Sequence, residues 1–343
     1  CAPFNSSVCV EIFESVNPNT LAVTNIALSG AYTPFTEEYS EVLALTHLSG
    51  NVLLLADIDQ NLYQITTTGV VTLVGTMDHV VKGLAFVEGP VTSLVSAMLP
   101  SSRSVQVGVP ATAFATIINA GAVTATGCGI STITAIAANF SYQSTDPATN
   151  QVTGSPNTPV NIASGAAQSF VISLTPTTPI MSTDVQFNYS CNNASSAPNF
   201  IGLNTLLFSA SATPVPDIVA LAATLTNDGI VNIPGANGTG AFAVATVNVG
   251  ASGSITASAD TGSASLPLNI FLCETNPATA QCISAIGPSV TTQINANATP
   301  TFAILVQGGG AVPFDPATNR IFVRFKDSGN VTRGSTSVAV RTQ

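Results

Sequence analysis

The two histidines, His47 and His79, bound the chemistry that this sequence can perform. Two imidazoles cannot build a histidine-rich metal site. Asp78-His79 lacks the Gly-x-Ser-x-Gly elbow that would hold a serine nucleophile beside it, so the pair reads as a polar turn between strands. Asp57-Ile58-Asp59-Gln60-Asn61 opens like a calcium loop, in which alternate oxygens converge on one hard cation. Leu62 then stands where the sharp turn needs Gly, and Thr68 where a bidentate Glu should close the loop, so the segment reads as a solvated strand end. Glu37, Glu38 and Glu41 could supply paired carboxylates for glycoside hydrolysis, but three acids so close together mark an exposed acidic loop. Gly308-Gly309-Gly310 has no following Lys and reads as a flexible turn, not a phosphate cradle. The expectation is a non-enzymatic chain without catalytic, metal or cofactor site.

Short β-runs separated by turn residues must carry these groups. Residues 62–87 (LYQITTTGVVTLVGTMDHVVKGLAFV) form a strand meander, and residues 12–26 together with 41–46 match it as a looser first copy. From about residue 96, Ala/Thr-rich strands recur every 8 to 12 residues, and a second repeat emerges. STDPATNQ (144–151) matches ETNPATAQ (274–281), VNIASGAAQSFVISL (160–174) matches INANATPTFAILV (294–306), and DVQFNYSCNN matches NRIFVRFKDS. Asp146-Pro147, Asn276-Pro277 and Asp315-Pro316 each open a turn, because Asp or Asn accepts a backbone hydrogen bond and Pro presets φ. The fold class is all-β: an N-terminal blade-like β-meander region over residues 1–95, then two Greek-key sandwich domains over 96–213 and 214–343, divided near the Pro214-Val215-Pro216 hinge.

The second repeat pairs the six cysteines. Cys128 and Cys191 correspond to about Ala257 and to Asp327, so both are missing together from the later copy. Cys273 and Cys282 correspond to Gln143 and Val152, again missing together. Joint absence is what bonded partners show, which assigns Cys128 to Cys191 and Cys273 to Cys282. Cys1 either pairs with Cys9 or carries a lipid; pairing leaves no odd thiol.

The blade-like copies resemble the repeats of bacterial β-propellers, and the later domains resemble the tandem immunoglobulin-like repeats of bacterial surface proteins. That resemblance implies a secreted or cell-surface bacterial protein. Composition points the same way: charged residues are only 7% against about a quarter in ordinary globular chains, so hydroxyls and amides must solvate the surface. No apolar run reaches the roughly 18 residues that span a bilayer, and a chain opening at Cys1 is expected to have lost a signal peptide. Net charge of −10 without a basic aromatic patch excludes nucleic acid as a partner. Residues 1–81 hold eight carboxylates and no Lys or Arg, whereas Arg320, Arg324, Lys326, Arg333 and Arg341 crowd the other end. This polarity suggests self-association, the acidic N-terminal region of one copy docking on the basic C-terminal sandwich of the next, as a homo-oligomer or filament. The expected role is structural or adhesive. The alternative is a carbohydrate-binding protein with glycans as ligands, although a chain with no Trp and five Tyr offers few stacking platforms.

Overall fold

The computed structural model describes strand backbones between residues 13 and 57, then residues 60–66, 68 and 70–79, and the chain from 93 to 343. Cys1, Cys9, Glu37, Glu38, Glu41, Asp59 and the stretch 82–87 lie outside the described residues. All described elements are strands, and no helix among them is long and apolar enough to cross a membrane. The chain divides into two compact units, Cys1–Gly89 and Pro90–Gln343.

In the first unit, β1 (Phe13–Val16) and β2 (Val23–Ile26) form a hairpin. β3 (Ser29–Gly30), β4 (Val42–Ser49), β5 (Val52–Asp57), β6 (Asn61–Thr66) and β7 (Val70–Thr76) form one sheet in the order β3-β7-β6-β5-β4. Tyr63 and Ile65 alternate inward on β6 and pack with Leu55 and Val71, as a period of two requires of a half-buried strand. Among the described strands, the two expected copies do not separate into one sheet each. β1-β2 and β6-β7 are both hairpins, as the sequence match implies, but β4, assigned above to the first copy, pairs directly with β5. Ser49 faces Val52 across that pair, and so short a connection can only make antiparallel neighbours. The arrangement gives no evidence of a propeller.

The second unit holds two sandwiches with separate cores, one drawn from residues 94–208 and the other from 218–340. The first comprises β8 (Leu94–Leu99), β9 (Ser102–Gln106), β10 (Ala111–Asn119), β11 (Ala125–Thr132), β12 (Ala138–Thr145), β13 (Val160–Ile162), β14 (Ala167–Pro176), β15 (Ile180–Val185), β16 (Phe187–Ser190) and β17 (Leu206–Ser211). One layer runs β12-β14-β10-β8; the other is made of β13-β11-β16 and β15-β17-β9, with β15 and β16 interrupted only at Gln186. The second sandwich comprises β18 (Ile218–Thr224), β19 (Ile230–Ile233), β20 (Thr239–Asn248), β21 (Gly253–Asp260), β22 (Leu268–Thr275), β23 (Ser289–Ile294), β24 (Thr301–Gly308), β25 (Arg320–Asp327) and β26 (Thr332–Thr342). Its layers run β22-β24-β20-β18 and β23-β21-β25-β26-β19. Strand for strand this is the same topology, including the parallel closing pairs β9-β17 and β19-β26.

The repeat extends to side chains. Asn119 and Asn248 are fully buried at the ends of β10 and β20. Each amide donates to three main-chain carbonyls: Val123, Ile162 and Ala163 for Asn119, and Ala251, Ile294 and Asn295 for Asn248. Each carbonyl oxygen accepts from a glycine N–H, Gly121 or Gly250. A buried amide is tolerated only when satisfied in this way. The Asx-Pro turns are likewise superposable in their bonding: Asn150 N donates to Asp146 O and Ala280 N to Asn276 O, both at 2.8 Å, with φ of 58° and 57° at the donors. Gly308-Gly309-Gly310 is not the loose turn expected, since its three amides donate to Gly238, Pro267 and Ala236 carbonyls.

The structure bonds Cys128 to Cys191 and Cys273 to Cys282. Cys273 faces Ala303 as Gln143 faces Val171, and Cys282 bridges to Thr275 as Val152 bridges to Thr145. Where the later sandwich has its disulfide, the earlier one has a hydrogen bond from Gln143 Nε2 to Gly154 O. The counterpart of Cys128 is corrected by the register. Asp327 is paired with Ile255, two residues before Ala257. A bulge between Ala125 and Cys128, with Gly127 at φ +59°, accounts for one of the two residues; the turn before it, where Asn119 reaches Val123 but Asn248 reaches Ala251, accounts for the other. The buried Cys128 is thus replaced by a buried Ile255.

Loop lengths predict unequal contributions from the two bonds. With separations of 63 and 9 residues, constraint of the unfolded chain gives about 4 kcal/mol for Cys128–Cys191 and about 2.5 kcal/mol for Cys273–Cys282. Denaturant unfolding of C128A/C191A and C273A/C282A should therefore show the larger loss of midpoint for the first pair. The reverse order would show that native-state packing, not loop closure, dominates.

Candidate functional site at the junction of the two sandwiches

The sandwiches meet along a seam of hydroxyls and two ion pairs. Directly after Pro214-Val215-Pro216, Asp217 is 3% exposed. Its carboxylate accepts from Arg103 Nε at 3.0 Å, Arg103 Nη2 at 2.9 Å and the Ser104 N–H at 2.9 Å. Ser104 Oγ lies 2.7 Å from Ser209 Oγ and accepts from Arg333 Nη1 at 3.0 Å. Asp327 holds the other side of Arg333 at 2.6 Å. Ser101 and Ser102 hydroxyls both donate to Ser335 O, and Ser335 N donates back to Ser102 Oγ at 2.6 Å. Ser337 Oγ donates to Gly202 O. The proline segment expected to act as a hinge is therefore locked at its end by a buried ion pair.

Beside the seam a groove of about 500 Å³ opens between the sandwiches. Asp184 and the 199–201 loop form one wall, and the 260–264 loop, Thr318 and β25 the other. Arg320, Phe322 and Arg324 alternate along β25 and so share one face. Arg324 is paired with Asp260 at 2.7 Å and lies 4.9 Å over the Phe322 ring. The ring itself is wedged between two glycines in the left-handed region, Gly202 (φ +78°) and Gly262 (φ +63°); a Cβ on either would approach it to 2.5 or 2.8 Å. Arg320, 7% exposed, donates to Ser337 Oγ at 3.0 Å, Pro316 O at 2.7 Å and Ser337 O at 3.3 Å. Those acceptors are neutral, and burial pulls its pKa down to about 10. Burial raises the Asp184 carboxyl against the opposing pull of Arg324 and the Thr205 hydroxyl. It raises Asp217 likewise, against Arg103 and the Ser104 amide. Chemically the groove can bind; it presents an arginine without a carboxylate and a carboxylate outside ion-pair distance of any described arginine.

The residues weighed from sequence lie elsewhere. Asp78 and His79 are exposed after β7, and Asp57 and Asn61 bound the β5-β6 connection, where Gln60 has φ 69°. The basic C-terminal residues do not form a free patch. Arg320, Arg324 and Arg333 are engaged as described, and Arg341 donates to Asn232 Oδ1 at 2.7 Å while covering the Phe314 ring at 4.7 Å. Sequence reading passed over Arg103, although it is the only Lys or Arg between Lys82 and Arg320. A lone cation in so long a stretch was the available signal. The serines of the seam carried none, in a chain rich in serine.

No protein-family model and no characterised protein matches the sequence. Solved structures similar to parts of the chain include the secreted serine protease VesC from Vibrio cholerae, at 11% identity and TM-score 0.21 over 78% of this chain and 61% of that one. The major pilin subunit BcpA of Bacillus cereus aligns at 10% identity and TM-score 0.24, over 73% of this chain and 70% of that one. The Yersinia pseudotuberculosis adhesin InvE aligns at 11% identity and TM-score 0.21, over 73% of this chain and 60% of that one. The chain thus spans about three fifths of the length of VesC and of InvE. Likeness at these scores carries no argument about function.

Two predictions follow from the geometry of the junction. Gly202→Ala should cost about 2–4 kcal/mol, from backbone strain together with overpacking against Phe322. Gly165→Ala, with similar φ but open space around its Cβ, should cost only about 1–2 kcal/mol; equal losses in unfolding midpoint would dismiss the wedge. NMR titration should place Asp184 and Asp217 above the ordinary 3.8. Because the folded form then binds the proton more tightly, these two groups favour folding most in acid, and the advantage declines as pH rises from 3.8 through their folded values. Midpoints below 3.8 would mean that the arginines outweigh burial.

Proposed function

We propose that this is a non-catalytic structural or adhesive component of an extracellular surface, in which two sandwiches act as one rigid element. The observation that carries this reading is the seam. Asp217, Ser104 and Ser335 are buried, and Arg103 half-buried, between two domains of the same topology, where a chain with independently moving domains would keep polar groups hydrated. Disulfides support the compartment, because they persist in oxidising surroundings.

Self-association belongs to this reading, through uncharged sheet faces in place of the charge contact expected from sequence, since Arg324 and Arg333 on its basic side are already paired with Asp260 and Asp327. The layers β12-β14-β10-β8 and β22-β24-β20-β18 contain one charged side chain between them, Glu274. Phe114 faces Leu99 and Ile118 faces Val95 on the first, and Phe271 faces Leu305 on the second. Phe114 and Phe271 are 40% and 39% exposed. Two such faces from neighbouring copies can pack as sheets do in a sandwich.

Light scattering on the intact protein tests this directly. Mass should rise with concentration, persist at high salt, and fall back in Phe114→Lys and Phe271→Lys. A protein that stays monomeric, or associates only at low salt, would remove the sheet-face contact, and turnover of any ester, peptide or glycoside substrate would remove the non-catalytic part.

A further inference from the structure

We propose that the groove between Asp184 and Arg320 binds an acidic sugar of the hexuronate class, its carboxylate on Arg320 and its hydroxyls on the opposing carboxylates. The inference goes beyond the structural role and does not need self-association, since a monomer can bind equally well. It begins from the contrast between two arginines on one face of β25. Arg324 has the Asp260 carboxylate and the Phe322 ring. Arg320 is more deeply buried and has only a hydroxyl and two carbonyls. Three of its five N–H donors are used, and no negative charge is among its partners. A buried cation without a counter-charge is costly to hold, and a ligand that brings one carboxylate removes that cost.

The rest of the groove selects among carboxylates. Asp184 enters from the other sandwich, half-buried, with a hydroxyl partner and no arginine in contact. Carboxylates accept and cannot donate when ionised, so they suit a ligand rich in O–H donors. Asn199, Thr261 and Ser263 add neutral polar groups to the same walls. A dianion such as phosphate or sulfate meets Asp184 and Asp260 with more repulsion than a monoanion does. A peptide terminus would bring the carboxylate but few hydroxyls. A volume of about 500 Å³ falls within the range of small-ligand sites.

The test is a titration of the intact protein carrying nitrogen-15 arginine, following Arg320 Nε–Hε with glucuronate, glucose, inorganic phosphate and a short peptide with a free C-terminus. A saturable shift of Arg320 with glucuronate, and little response to the other three, is expected. Asp184→Asn, which replaces the charged acceptor of the sugar hydroxyls by a neutral one, should weaken glucuronate several-fold. Arg320→Gln should weaken it by more than about tenfold, the usual loss for a charged hydrogen bond; should that variant not fold, the Asp184→Asn titration decides alone. No saturation by roughly 50 mM, where even a millimolar site is filled, would overturn the proposal. So would an equal response to glucose, stronger binding of phosphate or peptide, or undiminished binding in Asp184→Asn. Light scattering during the same titration separates this outcome from that of the assembly reading.

Discussion

The Asp217 carboxylate, buried between two sandwiches and held by Arg103 and the Ser104 amide, is the contact on which the rest of the larger unit depends. Removing one partner of such a pair strands the other charge in a poorly solvated place, at about 3–5 kcal/mol. The pair also sets position. Arg103 and Ser104 belong to β9, which closes one sheet of the first sandwich by pairing in parallel with β17. Asp217 immediately precedes β18, the first strand of the second. Once these are joined, Ser101, Ser102 and Ser104 fall against Ser335 and Arg333 on β26, and the hydroxyl ladder closes.

This chain has little charge to spend, and the seam shows where it goes. Seven basic residues serve 343, and of the three ion pairs among the described residues two, Arg103–Asp217 and Arg333–Asp327, lie at the seam and one, Arg324–Asp260, at the groove. The outer layers of both sandwiches are left almost without charge. Concentrating the arginines inside thus has two consequences. The junction becomes specific, because each guanidinium has a fixed set of acceptors, and the exposed sheets become neutral surfaces able to meet other neutral surfaces. Charge polarity along the sequence is real, but polarity of sequence is not polarity of surface.

What could be read in advance follows from what each signal encodes. Alternation and turn residues encode strands, so the all-β class and the doubled sandwich were legible, down to the equivalence of Asp146 and Asn276. Paired absences encode contact, which made Cys128–Cys191 and Cys273–Cys282 accessible from one chain. Register is different. The bulge at Gly127 and the longer turn after Asn119 each shift the frame by one residue, and no composition reveals them, so Ala257 stood in for Ile255. The blade-like copies misled for a related reason: similar hairpins recur in many sheets, and only the pairing of β4 with β5 decides which sheet they join. The groove was beyond reach because Asp184, Asp260 and Arg320 are brought together by docking of two domains, not by spacing along either.

That dependence orders the functional argument. Each wall of the groove is contributed by a different sandwich, and Phe322 at its base is seated only because Gly202 of the first and Gly262 of the second both lack a side chain. A rigid junction is therefore a precondition for any ligand site there, since a displacement of even about 1 Å is enough to spoil a positioned set of polar groups. The same serine seam that makes the tandem a stiff structural element is what allows it to hold a site with walls from both halves. Structure and binding are not competing accounts of this protein; the second, where it occurs, is built on the first.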